Sequence, residues 1–371
     1  MRKWVLLNVG PCVVPEKVRN ALLQPDIVHR ETEFFEILTR TRENLMKIYK
    51  ANDNYTTVII CGSGTAGLEA TISSVVRNGK LLIVSNGYYG EMLMTSIART
   101  HNIETELLKY EWGEGIKTSD VEDKLKSDQG IKYVTMVHTE TSTGILNELD
   151  EIAELVSDYD KTFIVDSTAS IGAEDLDVVR SKIDFCIGSP NKCIESVPGV
   201  SMVCCDKEKL EELKDVSPRT WYLNLYNYYR YEEGLGERTG TPFTPPVQVF
   251  YALDEAFNLL LQEGVEKRRE RYANLAKLVR DGFEDMGFRL FLPRETLCCC
   301  ITPIRTPKNL PYQLLHDQVK EDGFIIYAGM GTRADLFFRV GNMGQLTKNE
   351  ITGFLNSVRS TLEERKLYPQ Y

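Results

Sequence analysis

Val58-Ile59-Ile60-Cys61-Gly62-Ser63-Gly64-Thr65-Ala66-Gly67-Leu68-Glu69-Ala70-Thr71-Ile72 reads as a buried strand, a glycine-rich turn and the opening of a helix. The apolar run is short and β-branched, as a strand covered on both faces requires. Glycines at the junction let backbone N–H groups close around an anion, and the following helix turns its positive end to the same point. A phosphate suits such a place. The pattern is neither a full Walker loop, lacking Gly-Lys-Ser/Thr, nor a dinucleotide fingerprint with a ribose-binding acid in evident position. A plain strand-to-helix turn would carry the same residues.

Outward from this unit the alternation continues. Leu81-Leu82-Ile83-Val84, Tyr133-Val134-Thr135-Met136-Val137, Thr162-Phe163-Ile164-Val165 and Phe185-Cys186-Ile187 are further apolar strands. Helical segments separate them, among them Asp150-Glu151-Ile152-Ala153-Glu154-Leu155-Val156 with acidic residues in its first turn. The fold class is α/β, with a mostly parallel sheet covered by helices on both faces. In such sheets ligands bind beyond the carboxyl ends of the strands.

After about residue 245 the texture changes. One long amphipathic segment, Val247 to Met286, is interrupted at Gly264 and leads into alternating strands around 288–304 and 324–340. Pro245-Pro246 cannot continue a helix or a central strand, which sets the boundary there. A large domain over 1–245 and a smaller C-terminal α+β domain over 246–371 follow, with an N-terminal arm, about 1–20, expected to pack on the small domain.

The length of 371 residues exceeds what a single core usually supports. Hydrophobic residues make up 42% and charged residues 26%, and the net charge of −10 leaves no basic field for nucleic acid. No apolar stretch approaches the roughly 20 residues needed to cross a bilayer, so no membrane partner is expected. The start, Met1-Arg2-Lys3-Trp4-Val5-Leu6-Leu7-Asn8, is too briefly apolar for a secretory segment; a cytoplasmic location is expected. Nine cysteines form no paired C-x-x-C arrangement. They read as reduced, mostly buried small hydrophobes, with Cys204-Cys205 and Cys298-Cys299-Cys300 in strand-like runs, and no metal is expected.

Asp166 ends one buried strand and Lys192 follows another, so both belong at the carboxyl edge of the sheet, facing one pocket. A lysine that forms a Schiff base must be partly desolvated, and a buried aspartate can hold a pyridine nitrogen protonated so that the ring draws electrons. A buried Asp–Lys ion pair would use the same two residues.

An ordered set of motifs runs through nearly the whole chain: Asn8-Val9-Gly10-Pro11, His29-Arg30-Glu31-Thr32-Glu33-Phe34, Gly62-Ser63-Gly64-Thr65, Ser85-Asn86-Gly87-Tyr88-Tyr89-Gly90, His138-Thr139-Glu140-Thr141-Ser142-Thr143-Gly144, Val165-Asp166-Ser167, Asn191-Lys192-Cys193 and Phe338-Arg339-Val340-Gly341-Asn342. In this set the chain resembles the class V, fold-type I aminotransferases. The resemblance implies pyridoxal 5'-phosphate, bonded to Lys192, which also shuttles the proton, with Asp166 opposite the pyridine nitrogen. It implies Tyr89 stacked on the ring, Thr168 on the opposite face, Thr141 near the ring oxygen, and Ser63, Gly64, Thr65 and Asn191 on the phosphate side. It also implies a homodimer with shared sites, in which Thr241 and Thr244 of the loop 239–246 reach the neighbouring subunit's phosphate. Arg339 matches the arginine that grips the acidic end of the substrate; a guanidinium does this bidentately. A structural salt bridge is the plain alternative for Arg339.

The family transfers an amino group from a small donor to a 2-oxo acid. Asn191-Lys192-Cys193-Ile194-Glu195-Ser196-Val197-Pro198-Gly199 and Gly323-Phe324-Ile325-Ile326-Tyr327-Ala328-Gly329 are similar to its 2-aminoethylphosphonate–pyruvate branch. Where many of that branch continue with a lysine, this chain has Met330, and its opening is Asn-Val-Gly-Pro rather than Thr-Pro-Gly-Pro. An alanine- or serine–glyoxylate aminotransferase, a cofactor-dependent lyase and a non-enzymatic dimer of the same fold stay open. The four tyrosines in Tyr226 to Tyr231 are expected to pack a helix or a dimer surface, His29 and Arg30 to organise a loop near the entrance, and the run Glu266-Lys267-Arg268-Arg269-Glu270-Arg271 to form a solvated helix face.

Overall fold

A computed structural model describes residues 4–235 and 239–371; Met1, Arg2 and Lys3 of the N-terminal arm lie outside the described residues. Seven strands build the main sheet: β1 (Tyr55–Cys61), β2 (Lys80–Ser85), β3 (Thr105–Lys109), β4 (Ile131–Val137), β5 (Thr162–Asp166), β6 (Phe185–Gly188) and β7 (Val200–Asp206). Their spatial order is β1-β7-β6-β5-β4-β2-β3. All neighbours pair in parallel except β7, which runs antiparallel to both β1 and β6. The architecture is the expected α/β one.

Helices cover both faces of the sheet and give two apolar cores. One places Ile59, Leu82, Val84, Val134, Val165 and Met202 under the helices Thr32–Ile48, Asp150–Asp158 and Val247–Glu263. The other places Val58, Ile60, Ile83, Ile164 and Ile187 under Gly64–Val75 and Leu225–Glu232. Adjacent strand residues fall on opposite faces, so a strand such as β1 must be apolar throughout. Tyr226, Tyr228 and Tyr229 are buried in the second core.

The helix Val247–Glu263 buries Phe250, Leu253, Ala256, Phe257 and Leu260 against the large body. The boundary at 245/246 therefore precedes the change of core by one helix. That change falls beyond Gly264, whose φ of +86° breaks the long segment into two helices. The second, Val265–Asp285, runs into a separate core with Phe288, Ile304, Phe338, Val340, Phe354 and Val358. Leu7 belongs to that core, and Val5 and Leu6 pair in parallel with Phe324 and Ile325.

Two expectations need correction. Arg268 is only 2% exposed, and Arg268 and Arg271 turn inward from the run 266–271 to meet Glu195 and Glu263. The sequence periodicity registers charge; the structure supplies the buried carboxylates that make inward arginines tolerable. The triplet Cys298-Cys299-Cys300 forms a buried turn before the strand Ile301–Arg305 rather than part of it. Every cysteine is free, and all but the half-buried Cys61 are buried.

Candidate active site

The carboxyl ends of the strands and the C-terminal unit enclose a cavity of about 290 Å³. Ser63, Gly64, Thr65, Tyr89, Thr141, Asp166, Thr168, Asn191, Lys192 and Arg339 all line it. Residues far apart in sequence converge because most lie at or just past a strand end, while Arg339 comes from within the strand Phe337–Gly341. The helix Gly64–Val75 begins here, and its N-cap Ser63 makes no side-chain capping bond. An uncapped helix start facing a cavity favours an anion. A Cβ on Gly64 would stand 3.1 Å from Thr168 Cγ2 and 3.2 Å from Ser189 Cβ, so only glycine leaves the cradle open.

Asp166 is 4% exposed and accepts the Thr168 N–H at 2.8 Å. Burial pushes its carboxyl pKa up, while the Thr168 hydrogen bonds and the charge of Lys192 pull it down. Among the described residues Lys192 Nζ has no salt-bridge or hydrogen-bond partner; it stands 5.5 Å from the centroid of the Tyr89 ring. The plain Asp–Lys ion pair is therefore not formed. Gly10 crosses close behind the lysine, where a Cβ would lie 3.0 Å from Lys192 Cγ, and the Cys12 thiol donates to the Lys192 carbonyl at 3.1 Å.

Arg339 is buried yet has no carboxylate partner among the described residues. Its Nε and Nη2 donate to the Ala328 carbonyl at 3.0 and 2.8 Å, and its Nη1 donates to the Thr141 carbonyl at 3.0 Å. The salt-bridge alternative thus fails as well. Burial lowers its pKa, and nearby Tyr89 and Glu140 oppose that shift. A guanidinium fixed by carbonyls on one side keeps its outer N–H groups for a bound acid.

Several expected participants stand elsewhere. Thr241 is buried, with its hydroxyl donating to the Phe243 carbonyl at 2.8 Å, and Thr244 is exposed; neither lines this chain's cavity. Arg30 holds the same loop, donating to the Thr241 carbonyl at 2.6 Å and the Pro242 carbonyl at 3.4 Å. The flank Cys193-Ile194-Glu195 is buried and does not face the cavity. Glu195 instead accepts from Tyr272 Oη at 2.6 Å and Arg271 Nη2 at 2.9 Å. This flank cannot select a donor by contact. It holds the lysine loop: Glu195 has φ +62°, a conformation that costs a non-glycine residue energy and persists where its surroundings fix it.

Glu195→Ala should accordingly destabilise the fold by about 3 kcal/mol, because two arginines lose a buried counter-charge. Urea denaturation of purified protein measures this; an unchanged midpoint would show that the network contributes little.

Sequence reading passed over Thr139 and Ser189, which also line the cavity. The Thr139 hydroxyl is buried with no partner among the described residues. Its place in the run 138–144, beside Thr141, was the available signal. Tyr327, Met330 and Leu93 add an apolar wall.

The glycine cradle, the uncapped helix start, the buried aspartate, the lysine without a partner among the described residues and the arginine held only by carbonyls fit a phosphate-bearing pyridine aldehyde. A class V aminotransferase family model matches residues 18–329, and the chain belongs to that family. It is a pyridoxal-phosphate-dependent aminotransferase. Its relatives include a 2-aminoethylphosphonate–pyruvate transaminase of Phocaeicola vulgatus, 35% identical over 97% of this chain and 99% of that one. An uncharacterized aminotransferase of Methanocaldococcus jannaschii is 34% identical over 98% and 93%. The crystal structure of ureidoglycine–glyoxylate aminotransferase from Bacillus subtilis matches with a TM-score of 0.92 at 28% identity, covering 100% of this chain and 95% of that one.

Proposed function

We propose that this chain holds pyridoxal 5'-phosphate in the cavity, bonded to Lys192, and moves the amino group of 2-aminoethylphosphonate to pyruvate, giving phosphonoacetaldehyde and alanine. The observation that carries the site is the meeting of Lys192, Asp166 and Arg339 around one cavity, none of them in a salt bridge among the described residues. The donor rests on relatives of that name whose matches cover 97% of this chain.

When bound, the cofactor supplies a carbonyl that takes up the amino group and a ring that draws electrons from the neighbouring carbon. Ser63, Gly64, Thr65 and Asn191 would hold its phosphate, with Thr241 and Thr244 of a partner subunit completing the site in a homodimer. Tyr89 and Thr168 would confine the ring between them and Thr141 its oxygen. Asp166 holds a proton at the ring nitrogen. Lys192 takes the proton from the amine-bearing carbon of the donor and returns one in the opposite half-reaction. Arg339 binds the phosphonate in one half and the pyruvate carboxylate in the other.

Asp166→Asn should leave the cofactor attached and lower kcat by about 100-fold or more, within the range of a misplaced proton-transfer partner. Pre-steady-state absorbance measures the slowed step, and wild-type turnover would remove Asp166 from the chemistry. A panel of amino donors, read by alanine formation from pyruvate, tests the substrate. The cavity's apolar Met330 favours one second reading, amination of glyoxylate by alanine or serine, since among the described lining residues no cation besides Lys192 joins Arg339 to hold a dianion. Conversion of that pair, with none from 2-aminoethylphosphonate, would replace the phosphonate reading.

A further inference from the structure

The turn from Glu140 to Gly144 reaches both ends of the cavity, and two of its residues, Glu140 and Ser142, have no role in the proposed reaction. Glu140 is 1% exposed, and its carboxylate accepts three bonds: Oε1 from the Ser142 N–H at 3.0 Å and the Ser142 hydroxyl at 2.6 Å, and Oε2 from the Tyr89 N–H at 3.1 Å. Ser142 Oγ in turn accepts the Tyr88 N–H at 3.0 Å. The two side chains thus seize consecutive backbone N–H groups of the segment that carries the Tyr89 ring. That segment opens a π-helix, Tyr89–Met94, a local irregularity that needs outside support and recurs at functional sites.

The fit leaves no slack. A Cβ on Gly87 would come 2.2 Å from Glu140 Cγ and 2.7 Å from Ser142 Oγ, so backbone and carboxylate are in direct contact. From the other side Ser85 Oγ donates to the Gly87 carbonyl at 3.0 Å. The next residue of the turn, Thr141, offers the carbonyl that receives Arg339 Nη1. The turn itself closes by bonds from the Thr143 and Gly144 N–H groups to the Glu140 carbonyl, at 3.2 and 2.8 Å.

We propose that Glu140 is a positioning residue that sets the Tyr89 ring and, through the Thr141 carbonyl, the Arg339 guanidinium, so that one buried carboxylate registers the cofactor end of the cavity against the acid-binding end. Glu140 touches neither the cavity space nor a reacting atom; it is absent from the cavity lining. Its action is through the two groups it braces. The inference rests on the reading that the cavity holds pyridoxal phosphate between Tyr89 and Thr168.

The charge is compatible with this task. Burial raises the Glu140 pKa, the Ser142 and Tyr89 donors lower it, and Asp166 opposes ionisation. A glutamine keeps the shape but turns an NH2 group toward donors, so at least one of the N–H groups of Tyr89 and Ser142 loses its acceptor.

The test compares wild-type holoenzyme with Glu140→Gln and Ser142→Ala. Visible circular dichroism of bound pyridoxal phosphate reports the set of the ring, and pyridoxal phosphate titration gives its Kd. Glu140→Gln is expected to change the dichroism, weaken Kd by roughly tenfold and raise KM for pyruvate by a similar factor, the scale of one buried acceptor lost. Ser142→Ala, which leaves the Tyr89 bond to Glu140 in place, is expected to weaken Kd by less and leave KM for pyruvate unchanged. If Glu140→Gln only lowers the melting temperature, with dichroism, Kd and KM at wild-type values, the residue is structural and the proposal is wrong. Equal effects of both variants on KM would also overturn it. Failure of the phosphonate reading shows separately, as wild-type enzyme that makes no alanine from 2-aminoethylphosphonate while binding the cofactor normally.

Discussion

Lys192→Ala should lose the near-visible absorbance of a lysine-bound cofactor and transaminate at least about 1,000-fold more slowly than wild type. Two contributions go together. In the proposed arrangement the amine would both bond the cofactor and act as the base at the amine-bearing carbon, while Asp166 would face the ring nitrogen and Tyr89 would stack on the ring. Nζ stands without a salt-bridge or hydrogen-bond partner among the described residues, so the substitution abandons no buried counter-ion. Fold stability should change little for that reason, and thermal melting within a few degrees of wild type is the control. A variant that retained the absorbance would place the bonded lysine elsewhere. Addition of small amines should restore part of the proton-transfer rate, because they can enter the space the side chain vacates.

Arg339→Ala should raise KM for both the amino donor and pyruvate by about 100-fold, the loss of a charge-assisted bidentate pair in a closed site. The guanidinium is buried, held by the Ala328 and Thr141 carbonyls, and forms no salt bridge among the described residues. Arg339→Lys should recover little, since an ammonium cannot both satisfy those carbonyls and present two parallel donors. The cofactor spectrum should be that of wild type. If KM rises for one substrate alone, a second group must bind the other acid, and the proposal that one arginine serves both halves is lost.

Much of this site was legible because its residues end strands or begin helices. Gly62 to Gly67, Asp166 and Lys192 each follow a short apolar run, and the sheet brings such points to one edge. Direction was not legible: β7 is buried along nearly its whole length, and a strand apolar on both faces reads the same antiparallel as parallel. The edge strand Thr105–Lys109 escaped for the opposite reason. Its Thr-Glu-Leu-Leu-Lys sequence is half exposed and carries no buried pattern. Arg268 and Glu195 were misjudged because ion pairing across 73 residues leaves no local trace; the run 266–271 looks solvated until its partners are in place. Thr139 and Glu140 were visible as letters of a motif, yet the first faces the cavity and the second faces away, a distinction that only the turn geometry draws.

The N-terminal segment gives the molecule a mechanical property. The chain begins its described course in the C-terminal unit, with Val5 and Leu6 paired to Phe324 and Ile325, crosses to the large body, and returns along the helix Val265–Asp285. Both crossings are tied to the lysine loop. The Cys12 N–H donates to the Asn191 carbonyl at 3.1 Å, and Arg268 Nη1 donates to the Cys193 carbonyl at 3.1 Å. The loop that carries Lys192 is thereby held from both units at once, beside a shared core of Val9, Cys12, Cys193, Tyr272 and Met343. Arg339, on the strand Phe337–Gly341, reaches across to the Thr141 carbonyl, so the arginine and the lysine are each set by contacts that span the two units.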